Sequence, residues 1–149
     1  MFSKTCEYAL RATIYIAQKS SEEKKLGIDE ITRAIDSPKH FTAKILQFLT
    51  RGNIISSVKG PNGGFYMTGK ERQLPVKAVL VALGEYIVLE KCVLGLKECS
   101  EVKPCPMHAQ YKFIKPQLQK LFESRTIQSL ADDIDKGDAF IKSSLQKKR

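Results

Sequence analysis

Three successive helix-period segments before residue 52, followed by two short strand-like runs around a glycine-rich turn, predict a mainly α chain built as a winged helix-turn-helix with a two-stranded β wing. A further amphipathic stretch, residues 107–123, adds a long helix towards the C-terminus. Three helices and a ribbon in this order have a physical logic. The third helix offers a rigid convex surface suited to a DNA major groove, and the ribbon can lie beside it along the backbone or minor groove.

Each element can be justified in order. Residues near 2–20 read as the first helix, with Phe2, Cys6, Ala9, Leu10, Thr13, Ile14 and Ala17 on one side and Lys4, Arg11 and Lys19 left for water. The polar run Ser20-Ser21-Glu22-Glu23-Lys24-Lys25 ends it. A short helix over about 29–35 takes Asp29 as its N-cap and Ile28, Ile31, Ala34 and Ile35 as its apolar side. Asp36-Ser37-Pro38 breaks the pattern. Ser37 then caps a third helix with Pro38 at its first position, running to about Arg51. Phe41, Ile45, Phe48 and Leu49 form its buried stripe, and Gly52-Asn53 stops it. Ile54 to Val58 read as a strand, and Phe65-Tyr66-Met67 begin the return strand. Helix resumes from about Pro75 to Gly84, residues 85–106 are irregular, and the 107–123 helix contains Pro116, a source of a kink or a shifted boundary. A last short helix spans Thr126 to Ile134, with Ile127 and Leu130 buried.

The chain has 149 residues, 42% of them hydrophobic. That supports the core of one domain, or one domain with a short appendage, and argues against a disordered chain. No apolar run is long enough to cross a bilayer, and the N-terminus lacks the form of a secretory signal, so the cytoplasm is the expected location and no membrane partner is expected. The net charge of +9 favours a polyanionic partner such as double-stranded DNA. No nucleotide-binding loop and no acid/base pair appears, so an enzyme is not expected.

The candidate DNA-facing residues lie at the front of the third helix and in the wing. Lys39, His40, Thr42, Ala43 and Lys44 come first; Thr42 and Lys44 suit a phosphate or base edge, and Ala43 only an apolar contact. Lys59 and Asn62 are the candidate wing contacts, while Gly60, Gly63 and Gly64 let the ribbon turn and bring its backbone close to DNA. Three of the four cysteines, Cys92, Cys99 and Cys105, cluster in one polar stretch with His108 three residues beyond. In a cytoplasmic protein that pattern points to metal or redox chemistry more than to disulfides. Cys6 sits on an apolar stripe and reads as a small buried residue.

The segment Ser57-Val58-Lys59-Gly60-Pro61-Asn62-Gly63-Gly64-Phe65 closely resembles the wing signature of the iron–sulfur regulator family that contains IscR and NsrR. Tyr8-Ala9-Leu10 is similar to that family's first helix, and Cys92-x6-Cys99-x5-Cys105 to its cluster loop. The first cysteine gap is one residue longer than is usual in the IscR branch. The resemblance covers nearly the whole chain. It implies a homodimeric transcription factor on a palindromic operator, with Tyr111, Ile114, Leu118, Leu121 and Phe122 on a post-cluster helix as the main dimer contact. The expected organisation is 1–84 as the DNA-binding domain, 85–106 as the cysteine-containing cluster loop, 107–136 as the dimerisation helix and a following short helix, and 137–149 as a basic tail.

An iron–sulfur cluster needs soft thiolates in a loop that can wrap an inorganic core, and Cys92, Cys99 and Cys105 supply three. His108 matches the position that ligates a [2Fe–2S] cluster in the IscR branch. Glu7 matches the first-helix carboxylate that the NsrR branch offers across the dimer to a [4Fe–4S] cluster. His108, and so [2Fe–2S], is preferred because it is local and softer than a carboxylate. Aerobic handling can strip such a cluster. Zinc competes, since three cysteines and a histidine can form a tetrahedral site, but its tight Cys-x2–4-Cys pairs are missing. A thiol switch, an iron–sulfur protein that is not a transcription factor, and a winged helix used only for protein contact are the other readings.

Overall fold

The computed structural model describes residues 1–142, so most of the basic tail expected at 137–149 lies outside the described residues. The first helix, α1 (Lys4–Lys19), starts at Ser3, whose hydroxyl accepts from the Cys6 N–H at 3.0 Å. At its far end the Arg72 guanidinium donates to the carbonyls of Ala17 and Ser20, satisfying groups that a helix terminus leaves unpaired. Cys6, Ala9, Ala12, Thr13, Ile16 and Ala17 are buried on α1. Small side chains there let several neighbours approach closely, and α1 becomes the element around which the rest packs.

The helix-turn-helix follows. Helix α2 (Ile28–Ile35) begins one residue earlier than its sequence pattern suggested, after Gly27, so Asp29 is not the N-cap. Asp29 lies in the first turn, where a carboxylate complements the helix dipole, and pairs with Lys39 at 2.9 Å. Asp36 ends α2 in the left-handed region, at φ 54°, and its N–H bonds the Thr32 carbonyl. Helix α3 (Lys39–Arg51) has Pro38 at the N-cap rather than at the first helical position, and Ser37 does not cap it. The Ser37 hydroxyl bonds the Thr42 hydroxyl instead. The inward face of α3 is Thr42, Ile45, Leu46 and Leu49. Phe41 is 40% exposed and Phe48 only part-buried, so the stripe expected from the aromatic spacing is displaced. At the crossing with α1 and α2, Thr42 and Leu46 occupy the inward positions, while the Phe41 ring lies at the rim, 6.4 Å from that of Tyr8.

Ile54 and Ile55 enter the core ahead of β1 (Ser56–Val58), which is shorter than the expected strand. It pairs antiparallel with β2 (Gly64–Tyr66), with Ser57 opposite Phe65. Phe65 also exchanges two 2.8 Å backbone bonds with Leu26, which ties the wing to the body. These approaches demand glycine. A Cβ on Gly63 would lie 2.1 Å from the Val58 carbonyl oxygen, and one on Gly64, at φ +147°, would lie 2.6 Å from that of Leu26.

Helix α4 (Gly69–Arg72), unmarked in the sequence pattern, is held by a reciprocal Thr68–Glu71 capping box. Helix α5 (Lys77–Ala82) is shorter than the expected 75–84. Its leading residues are drawn instead into bonds with the C-terminal region: Val76 N–H donates to Arg125, and Ile127 N–H donates to Leu74, both at 2.9 Å. A short 3-10 helix (Tyr86–Leu89) opens the irregular segment. Helix α6 (His108–Ser124) runs through Pro116, and α7 (Ile127–Asp135) follows. Ile127 and Ala131 of α7 join the same core as α1, α2 and α3, so the C-terminal end returns onto the N-terminal half. A smaller core around Cys6, Leu80 and Leu89 takes in Phe2, Leu118 and Phe122 and joins α6 to α1. The Phe2 and Phe122 rings meet edge-on, 5.5 Å apart. Among the described residues no helix is long and apolar enough to cross a membrane.

Candidate functional site

The first candidate surface is the exposed side of α3 together with the wing. His40 and Lys44 are exposed there, Ala43 is half-buried, and Lys59, Gly60 and Asn62 stand clear on the wing. Lys39 is exposed but shares its charge with Asp29, whose carboxyl is held below its ordinary range by the Lys39 hydrogen bond and charge. Thr42 departs from expectation. It is fully buried, its hydroxyl is engaged by Ser37 and by the Pro38 carbonyl at 3.2 Å, and it faces the core rather than a phosphate. Gly63 and Gly64 are part-buried and serve the contacts inside the wing described above.

Between α3 and the wing runs an open groove of about 820 Å³, lined among others by Ala43, Gln47, Arg51 and Lys59. Gln47 and Arg51 lie beyond the front of the helix, where the residues expected from the sequence cluster. The signal was available: 40, 43, 44, 47 and 51 repeat at helical spacing, and four of these positions are polar or basic. Thr50, in the same groove, donates its hydroxyl to the Leu46 carbonyl at 2.7 Å and is occupied within the helix.

The second candidate surface is the cysteine loop. Cys92 is buried, and Cys99 and Cys105 are partly buried. A tight turn carries the Gly95 N–H to the Cys92 carbonyl, and the Leu94 N–H points at Cys92 Sγ at 3.4 Å. The backbone N–H groups of Leu94 and Leu96, outweighing burial, hold the Cys92 thiol below its ordinary range; the Cys105 side chain and the Gly95 N–H add to this. Such a concave set of N–H groups favours a thiolate. His108, the first residue of α6, is buried and anchored by its own N–H to the Cys105 carbonyl at 3.0 Å. Its Nδ1 stands 3.5 Å from Cys99 Sγ and its Nε2 3.0 Å from Glu101 Oε1. The His108 hydrogen bond, then the Lys112 charge, keeps the Glu101 carboxyl below its ordinary range.

Of the four donors, Cys99 and His108 stand within hydrogen-bond reach of each other, while Cys92 and Cys105 lie in the same loop. Among the described residues no three His, Cys, Asp or Glu side chains converge on one point as a single ion would require. A sulfur and a nitrogen sharing one tetrahedral ion stand about 3.6 Å apart, which is also the reach of a thiol–imidazole hydrogen bond. The donor set fits a two-iron cluster, in which each iron takes two protein ligands. Cys6 stands apart: burial, then the charges of Glu85 and Glu7, push its thiol up to about 12. Glu7 pairs with Lys4 at 3.5 Å on the exposed side of α1.

On α6, Tyr111 is buried within the chain, and Leu118 and Phe122 pack against α1, so these three face the chain's own interior. The exposed apolar side chains are Phe113 at 65%, Ile114 at 49% and Leu121 at 52%.

Comparison with known proteins places this architecture. The Rrf2 family, described as iron-dependent transcriptional regulators, matches residues 2–133. The chain belongs to the Rrf2 family. A protein of Aquifex aeolicus (strain VF5) described as an HTH-type transcriptional regulator is 31% identical over 132 residues, covering 87% of this chain and 90% of its own length. The regulator NsrR of Geobacillus kaustophilus (strain HTA426) is 24% identical, covering 96% of this chain and 95% of its own. Among solved structures, CymR (YrzC), the global cysteine regulator of B. subtilis, superposes with a TM-score of 0.71 at 19% identity, over 89% of this chain and 96% of its own. T. potens IscR gives a TM-score of 0.69 at 14% identity, over 93% and 91%. This Rrf2-family chain is thus a DNA-binding transcriptional regulator with the winged-helix fold.

Proposed function

We propose that this Rrf2-family regulator is a homodimer that grips a palindromic operator with α3 and the wing, and senses redox, nitric oxide or iron–sulfur status through a [2Fe–2S] cluster on Cys92, Cys99, Cys105 and His108. The observation that carries this reading is the Cys99–His108 pair built onto the first turn of α6, with Cys92 and Cys105 in the same loop. When bound, such a cluster supplies one-electron chemistry and a site that oxidants and nitric oxide attack.

The chain's own residues supply the connection to DNA. The Leu94, Gly95 and Leu96 N–H groups favour the Cys92 thiolate, and His108 ties the loop to α6. Leu118 and Phe122 carry α6 onto α1, which packs directly on α3. The occupant of the exposed Phe113, Ile114 and Leu121 side chains is a second copy of the chain. Leu121 also borders an apolar hollow of about 200 Å³ lined by Leu10, Val76 and Leu130, which a partner's apolar side chain would fill. A change in the loop then alters the relative placement of two α3 helices. That is allostery if two states differ in operator affinity.

Anaerobic purification with iron, sulfide and zinc analysis tests the cofactor. Two irons and two sulfides per chain are expected; stoichiometric zinc without sulfide would overturn it. A second reading is favoured by one observation, that Cys92 and Cys105 are free thiols in the same loop. Oxidation of that pair by hydrogen peroxide would remove two electrons and two protons, form one disulfide and release two waters. Mass spectrometry of the peroxide-treated, metal-free protein distinguishes it, with a loss of two hydrogens per chain expected.

A further inference from the structure

Glu101 belongs to no motif and is 70% exposed at its side chain, yet one carboxylate oxygen meets two groups of α6. Oε1 lies 3.0 Å from His108 Nε2 and 3.6 Å from Lys112 Nζ. His108 and Lys112 are one helical turn apart and present the same side to the loop. A carboxylate only accepts hydrogen bonds, so Nε2 must carry the proton. In the neutral imidazole this leaves the lone pair on Nδ1, the nitrogen that faces Cys99 at 3.5 Å. Histidines that bind metals commonly donate their other N–H to a carboxylate in this manner, which fixes the tautomer and the ring orientation.

We propose that Glu101 is a positioning residue for the cofactor site: through Nε2–H it fixes the His108 ring so that Nδ1, and not Nε2, is the atom offered alongside Cys99 to iron. This rests on the cluster reading above. Lys112 in turn holds the carboxylate in place from the same helix, so the first turn of α6 and the Cys99–Cys105 loop register against each other through Glu101 as well as through the donors themselves.

The test compares wild type, E101Q and E101A, reconstituted anaerobically from histidine-labelled protein carrying 15N at Nδ1 alone. Pulsed EPR of the dithionite-reduced protein should show a directly bonded nitrogen, and the label should change that coupling. In E101A iron retention against a chelator should fall about 10-fold or more, while E101Q, whose amide oxygen still accepts from Nε2–H, should lie between. E101Q should also raise the reduction potential, because a negative charge near the irons is removed. A separate reading needs no iron: in the metal-free protein the His108 Nε2–H should be protected from solvent exchange in wild type and lose that protection in E101A. Coupling that ignores the Nδ1 label would overturn the proposal. So would E101A matching wild type in both retention and Nε2–H protection. A wild type that binds no iron and sulfide sinks the cluster reading as well, and is told apart by iron analysis before any variant is compared.

Discussion

Thr42 is polar, sits early in α3, and is nonetheless fully buried, with its hydroxyl joined to Ser37 and the Pro38 carbonyl. Thr42→Val should therefore cost about 1 kcal/mol of stability, read as a shift in the urea midpoint, and leave operator affinity largely unchanged. A large affinity loss at unchanged stability would return Thr42 to the contact set. Lys59 stands in the opposite situation, exposed on the wing. Lys59→Ala should weaken operator binding across sequences and lower the slope of log K against log salt by about 0.9, whereas an unchanged slope removes it from the phosphate contacts. Residue types marked by softness are legible in the sequence: the three thiols and His108 stand out by chemistry and spacing, and the fold sets Cys99 beside His108. Glu101 was not legible, because an exposed glutamate in a charged loop has no periodicity or spacing to mark it, and only the fold brings it to His108.

At the scale of elements, hydrophobic period located the helices and the ribbon, but not the face each helix turns inward. Phe41 and Phe48 dominate the pattern of α3 by size, while the crossing with α1 and α2 admits Thr42 and Leu46. The caps expected at Asp29 and Ser37 fall elsewhere because α2 starts after Gly27 and α3 after Pro38, which leaves the Asp29 side chain to Lys39 and that of Ser37 to Thr42. In the wing, Gly64 carries a positive φ and lies against Leu26, so Gly64→Ala should cost about 2 kcal/mol by denaturant unfolding. A neutral result would show that the Leu26–Phe65 connection yields easily. On α3, Gln47 shares the exposed side with His40 and Lys44. If its amide pairs with an adenine edge, Gln47→Ala should erase about 1–3 kcal/mol of discrimination at one base pair per half-site, measured by competition among single-base operator variants. Uniform weakening at every position would assign it to the backbone.

At the scale of the molecule, the chain does not divide cleanly along its length. Helix α7 belongs to the core of the N-terminal half, and α6 is fastened to α1 by Phe122 and Phe2 while its Phe113, Ile114 and Leu121 side chains stay exposed. Sequence periodicity could not show this, because an apolar residue looks the same whether its partner lies in the same chain or in a second copy. Phe113→Glu with Leu121→Glu should give a folded monomer by sedimentation, and an unchanged mass would place the dimer contact elsewhere. The claim at this scale is that loop chemistry governs the grip on DNA. The most direct measurement is operator affinity at fixed salt for the anaerobically cluster-loaded protein against the Cys92→Ala, Cys99→Ala, Cys105→Ala variant. A difference of about 5-fold or more is predicted. Equal affinities, with both proteins folded and the wild type shown to hold iron and sulfide, would contradict it.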